Sequence, residues 1–262
     1  MLNFDEITDK IEKIVPREAV FLYEVTDSTN TRALEYARGE GSFTERAVFI
    51  ANSQTSGRGR RGRSFVSRSD AGIFISLVFT PRSPEQIEGA TGRAAVALLS
   101  AIKEVTGISA GIKWVNDIYA APPSKKAKKL AGILAEAVTS DDGKISKIIV
   151  GMGINVYNSA LVEEISDIAT SIEEVSGKRF SREKIIGSLV EFFYKERERD
   201  SILEEYRKHS LTLGKSITVH PHTGESYPAF AEQILEDYSL LVSTESGEKR
   251  RIFSGEVTTR LD

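Results

Sequence analysis

Apolar positions follow two rhythms along the chain. Residues 19–25 (AVFLYEV), 47–53 (AVFIANS) and 72–80 (GIFISLVFT) are dense runs rich in β-branched and aromatic residues, the pattern of buried strands. Between the first two, 28–41 (STNTRALEYARGEG) predicts a short helix ending at glycine. Residues 83–107 carry helical spacing, with Leu98, Ile102 and Val105 as the stripe. There Ser83 suits the N-cap, Pro84 the first helical position and Gln86 the reciprocal capping position, and Gly107 stops the helix. Residues 110–120 (AGIKWVNDIYA) are strand-like, and 129–157 predicts two long strands joined by a turn at Asp141, Asp142 and Gly143. Two helices are expected around 160–176 and 181–208, the second with a stripe of Ile185, Ile186, Leu189, Val190 and Phe193. After Gly214 the rhythm shortens: 216–220, 227–235, 239–244 and 250–261 alternate between turn residues, as in a small β-barrel. The pattern is α+β, with residues 1–210 as a main domain and 211–262 as a small appended β module.

Composition narrows the classes. With 262 residues, 40% hydrophobic and 28% charged, the chain has ample material for a core. A net charge of -3 is not that of a protein built to coat nucleic acid or an anionic membrane. The absence of cysteine excludes disulfides, thiol nucleophiles and thiolate metal sites, and fits a reducing cytoplasm. The first fifteen residues lack the apolar core of a secretory signal, and no apolar run approaches the roughly 18 residues that span a bilayer. His209, His220 and His222 cluster near the C-terminus, which argues against a histidine triad or metal site at the motifs described next.

The densest of these is SGRGRRGRSF (56–65), four arginines and three glycines in ten positions between two apolar strands. Glycines allow close backbone approach and arginines supply planar forks for phosphate or carboxylate, so the segment suits an anion cradle. A solvated basic loop or a nucleic-acid contact has the same composition. KWVND (113–117) places Asn116 and Asp117 at a strand end, where the carboxylate can hold Mg²⁺ or accept a proton from an amine; an Asx turn uses the same residues. In KKAKKLAGIL (125–134), Lys129 stands at the entrance of a buried strand, while the other lysines are accounted for by loop solubility. GMGIN (151–155) puts Gly151 and Gly153 inside a strand, which points to a bulge or to a surface where a ligand lies flat. DSTN (27–30) offers two hydroxyls and an amide at a helix start, also explained by capping.

In their order, DSTN, GRGRRGR, KWVND, KLAGIL.E and GMGIN resemble the biotin protein ligases, a likeness running from about residue 20 into GEVTTR (255–260). The resemblance implies a class II aminoacyl-tRNA synthetase-like mixed sheet with flanking helices and an SH3-like C-terminal barrel. It implies a biotin–[acetyl-CoA-carboxylase] ligase that makes biotinyl-5′-AMP from biotin and ATP with Mg²⁺. The biotinyl group then passes to a lysine of a biotin carboxyl carrier protein. On this likeness Ser28, Thr29, Asn30, Gln54, Arg58, Gly59, Arg60, Lys129, Gly132 and Gly151 surround biotin. Arg58, Arg60, Trp114, Asn116, Lys129 and Asn155 surround ATP, Gly153 leaves room for a ligand, and Asp117 sits near the metal and takes the proton of the incoming lysine. Arg58, Arg60, Lys129 and Asp117 form the catalytic set, Arg61 and Arg63 orient the loop, and Arg68 is surface.

The family commonly has Pro where this chain has Val115, which is expected to keep the backbone extended; the long loop at 121–129 makes Lys128 a rival for the role of Lys129. Only 26 residues precede DSTN, so no DNA-binding domain and no operator binding are expected, and pairing of sheet edges implies a homodimer. The alternatives are a lipoate–protein ligase of the same fold and a noncatalytic RNA-binding protein. An octanoyltransferase of the superfamily would need the cysteine this chain lacks.

Overall fold

Seven strands with one parallel pair make the main sheet of the computed structural model, which describes residues 1–39, 44–196, 202–221, 223–253 and 256–259. They are β1 (Val20–Thr26), β2 (Arg46–Gln54), β3 (Gly72–Phe79), β4 (Gly111–Lys113), β5 (Asp117–Ala120), β6 (Lys128–Thr139) and β7 (Ile145–Asn155). Their order is β1-β2-β3-β7-β6-β5-β4, and every pairing except β1 with β2 is antiparallel. The helices are α1 (Phe4–Ile11), α2 (Thr29–Arg38), α3 (Pro84–Glu88), α4 (Ala90–Thr106), α5 (Ile172–Ser176), α6 (Arg182–Glu196) and α7 (Leu203–Lys208). A second, antiparallel sheet of five strands follows: β8 (Ser216–His220), β9 (Tyr227–Ile234), β10 (Leu240–Thr244), β11 (Lys249–Ile252) and β12 (Glu256–Thr259).

β3 is buried at all eight positions because both faces are covered. Side chains alternate across a strand, so Ser76 and Phe79 point to opposite faces. Ser76 meets α2 through Asn30, and Phe79 packs edge-on against Phe193 of α6 at 5.8 Å. The stripe Ile185, Ile186, Leu189, Val190 and Phe193 lies in the core as its spacing predicts, each at most 1% exposed. Gly107 ends α4 with φ of 74°.

Four expectations need correction. The helix expected over 83–107 breaks at Gly89 into α3 and α4; the Ser83 side chain makes no capping bond, and Gln86 accepts instead from the Arg82 N–H at 2.9 Å. Residues 110–120 are two short strands around a turn at 114–116, so the chain is not extended through Val115. The helix expected over 160–176 is confined to α5, with single 3₁₀ turns at Asn158–Ala160 and Glu163–Ile165 before it. The pairing of β7 runs without a register shift at Gly151 and Gly153, so these glycines do not mark a bulge. Within the second expected helix, 197–201 fall outside the described residues, as do Glu40, Gly41, His222 and Gly255.

The second sheet docks through the turn before Ser239. Trp114 Nε1 donates to the Tyr238 carbonyl at 2.9 Å, the Trp114 N–H donates to Thr212 Oγ1 at 3.0 Å, and the buried Tyr206 hydroxyl donates to the Val115 carbonyl at 2.9 Å. Burial also pushes the Tyr238 hydroxyl up to about 12. A Cβ on Gly92 would stand 2.3 Å from the Tyr238 ring. Alanine there gains up to about 1 kcal/mol of helix propensity, but overpacking a held ring costs about 1–3 kcal/mol. Gly92→Ala is therefore expected to lower the midpoint of thermal unfolding; an unchanged or raised midpoint would mean the ring yields.

Candidate active site

The arginine segment leaves β2 and folds back as a tight hairpin. The Gly57 carbonyl accepts from the Phe65 N–H at 2.9 Å, Gly59 donates to the Arg63 carbonyl at 2.7 Å, and Arg58 and Ser64 form a bridge. Its stem is sewn to the end of β1 and the link that follows it by bonds from Thr55 N–H to the Thr26 carbonyl and from Ser56 N–H to that of Asp27, each 2.9 Å. Phe65 turns inward over β7, where a Cβ on Gly153 would stand 2.6 Å from its ring. The missing side chain of Gly153 is thus the seat for this aromatic ring.

On one flank the hairpin faces the start of α2. Asp27 accepts from Arg32 Nε at 3.0 Å and from the Ser28 N–H at 2.6 Å, and the Arg32 bond first of all holds its carboxyl below the ordinary range. This anchor is therefore charged at neutral pH, and its contribution is lost only as pH falls through the acid range. Ser28 occupies the N-cap, yet its hydroxyl makes no capping bond. Instead the Thr29 N–H donates to Gln54 Oε1 at 2.8 Å, and Gln54 Nε2 donates to Ser67 Oγ at 2.9 Å. Asn30 is 4% exposed, accepts from Ser76 Oγ at 2.6 Å and donates to Glu136 Oε2 at 2.8 Å. Its Oδ1 fills the space over Gly151, where a Cβ would come within 1.9 Å.

On the other flank the 114–116 turn presents two groups. Asn116 Oδ1 accepts from Arg60 Nη1 at 2.8 Å, and its Nδ2 donates to the Ile133 carbonyl at 2.8 Å. Asp117 Oδ1 stands 2.8 Å from Lys129 Nζ; this buried oxygen has no aligned hydrogen-bond donor, so the contact is an ion pair rather than a directed bond. Lys128 Nζ instead donates to the Ser166 carbonyl at 2.6 Å. Among the described residues no three His, Cys, Asp or Glu side chains gather as a metal site.

Two cavities adjoin here. The first is lined by Ser28, Thr29, Asn30, Gln54, Arg58, Gly132, Gly151 and Gly153 among others; the second by Arg61, Arg63, Trp114, Asp117 and Tyr119 among others. They share Gly59, Arg60, Phe65, Asn116 and Lys129. The geometry therefore places two chambers either side of a guanidinium and an ammonium, an arrangement suited to joining two anions. Asn155 lines neither: it is 5% exposed and donates to the Thr170 carbonyl at 3.1 Å. Arg61 and Arg63 line the second cavity, and Arg68 is exposed. Sequence reasoning passed over Phe65, Ser76 and Glu136. Glu136 was visible as the final letter of KLAGIL.E, but no local signal ties it to Arg58, 78 positions away.

Comparison with known proteins places this geometry. The model of the biotin/lipoate A/B protein ligase family matches residues 22–155. The bifunctional ligase/repressor BirA of Bacillus subtilis is 30% identical, over 98% of this chain and 78% of that protein. The biotin–[acetyl-CoA-carboxylase] ligase of Mycobacterium tuberculosis is 29% identical, over 88% of this chain and 85% of its own. Among solved structures, the biotin protein ligase of Aquifex aeolicus in complex with biotin and ATP aligns with a TM-score of 0.73 at 27% identity, covering 94% of this chain and all of that one. The match spans the strands, the hairpin and the ion pair just described: the chain belongs to the biotin/lipoate A/B protein ligase family.

Proposed function

We propose that the chain is an ATP-dependent biotin protein ligase. The observation that carries this reading is that Arg60, carried by the hairpin, and Lys129, on the sheet, both line the two adjoining cavities. A carboxylate and a triphosphate repel each other, and dense cationic neutralisation lets them approach. In the first step a biotin carboxylate oxygen attacks the α-phosphorus of ATP and pyrophosphate leaves, giving biotinyl-5′-AMP. In the second, a lysine amine of a biotin carboxyl carrier domain attacks the acyl carbon and AMP leaves.

Ser28, Thr29, Asn30 and Gln54 bind the vitamin's polar ring from the α2 side, with Gly132 as floor and Gly151 making room for the Asn30 amide. Lys129 bridges the acyl group and the α-phosphate, Arg58 and Arg60 hold the linkage, and Trp114 and Asn116 face the nucleotide. Asp117 accepts the proton that the attacking ammonium must lose. Its single carboxylate fits an Mg²⁺ that arrives with the nucleotide, because that ion takes one or two carboxylates beside phosphate oxygens and water. Bound there, Mg²⁺ neutralises phosphate charge.

The second sheet, within residues 211–262, is taken as an SH3-like barrel appended to a synthetase-like catalytic domain over 1–210, and a homodimer is the expected assembly. No helix among the described residues is long and apolar enough to cross a membrane. The test is exchange of labelled pyrophosphate into ATP. Exchange that requires biotin is the expected result; exchange that requires lipoate instead would overturn the reading, as would tight, salt-dependent RNA binding without exchange.

A further inference from the structure

Glu136 stands on β6, on the face where Gly132 pairs with Gly153 and Leu134 with Gly151, and its side chain is 21% exposed. Its two oxygens serve two different elements. Oε2 accepts from Asn30 Nδ2 at 2.8 Å, and Oε1 accepts from Arg58 Nη2 at 2.8 Å. A carboxylate offers acceptors only, so it admits one orientation of the Asn30 amide. Nitrogen points to Glu136; oxygen points to Ser76 and lies over Gly151. The same carboxylate neutralises Arg58 and gives the hairpin a fixed point on the sheet. Glu136 lines neither cavity, and beside a site that gathers anions a negative side chain opposes binding, so its two bonds to Asn30 and Arg58 mark a positioning task.

We propose that Glu136 is a positioning residue for adenylate formation. It sets the Asn30 amide on the vitamin side and seats the hairpin through Arg58, without touching either substrate. The inference rests on the ligase reading above.

Glu136→Gln tests it, because glutamine keeps the shape but brings its own amide nitrogen and no charge. Both Asn30 orientations then become available, and Arg58 loses its anion. The expected result is a KM for biotin raised about ten-fold in pyrophosphate exchange, with kcat at saturating biotin within about two-fold. Biotinyl-5′-AMP retained by the protein should also escape several-fold faster. Glu136→Asp keeps the anion and is expected to recover most of the KM. In combination with Asn30→Ala the Glu136→Gln effect should be less than additive, since the two act through one contact. A purely structural role would lower the unfolding midpoint and the active fraction while leaving KM and adenylate escape unchanged, and that outcome overturns the proposal. Additivity in the double variant also overturns it. Absence of biotin-dependent exchange in the unmodified chain removes the ligase reading and this inference together, whereas exchange with unaltered constants in Glu136→Gln removes this inference alone.

Discussion

Lys129→Ala is expected to slow biotinyl-5′-AMP formation by about 10²–10³-fold, the usual cost of deleting one preorganised charge from a transition state. Lys129 lines both cavities and faces Asp117 at 2.8 Å, so its ammonium sits where acyl oxygen and α-phosphate must meet. Alanine also leaves the buried Asp117 oxygen without its cation, a change that destabilises by itself. Thermal unfolding must therefore accompany single-turnover adenylation assays. A folded variant that adenylates at the normal rate would remove Lys129 from the reaction. Lys128, held on the Ser166 carbonyl, serves as the contrasting position: its replacement by alanine should leave the rate of adenylation within about two-fold.

Arg60→Ala is expected to act on the intermediate as well as on its formation. Arg60 is the hairpin's link to Asn116, at 2.8 Å, and through that residue to the Ile133 carbonyl. Without it the transition state loses a cation and the hairpin loses a latch, so adenylation should slow by about 10²-fold. What does form should appear in solvent as free biotinyl-5′-AMP or its hydrolysis products. Mass spectrometry of protein-bound and released fractions after one turnover separates the two effects. An adenylate that is retained as well as in the unmodified chain would show that the hairpin shields its cargo without this contact.

Local signals carried much of the fold into view. β1, β2 and β3 appear within one residue of their apolar runs, and the turn at Gly143 joins β6 to β7 where Asp and Gly cluster. These are features decided by neighbours in sequence. The failures lie where distant groups decide. Gly89 breaks the 83–107 helix where Tyr238, from the turn between β9 and β10, packs against both Gly89 and Gly92. The turn at 114–116 is held by Thr212, Tyr206 and Tyr238, all far along the chain, so its strand-like composition did not decide its shape. In the site, motif order located the hairpin, Lys129, Asn116 and Asp117. It could not show that Gly151 and Gly153 accommodate Asn30 and Phe65, or that Asn155 turns to Thr170. Nor could it show Glu136 joining Asn30 to Arg58, since those bonds span 106 and 78 residues.

The most direct measurement is a crystal structure of the chain with biotinyl-5′-AMP trapped in place. The expected result has the hairpin of residues 56–65 lying over the acyl-phosphate bond, with Arg60 and Lys129 within hydrogen-bonding distance of the α-phosphate. A hairpin turned toward solvent, with the acyl-phosphate open to water and neither cation beside it, would contradict the assignment of this loop as the shield of a reactive intermediate.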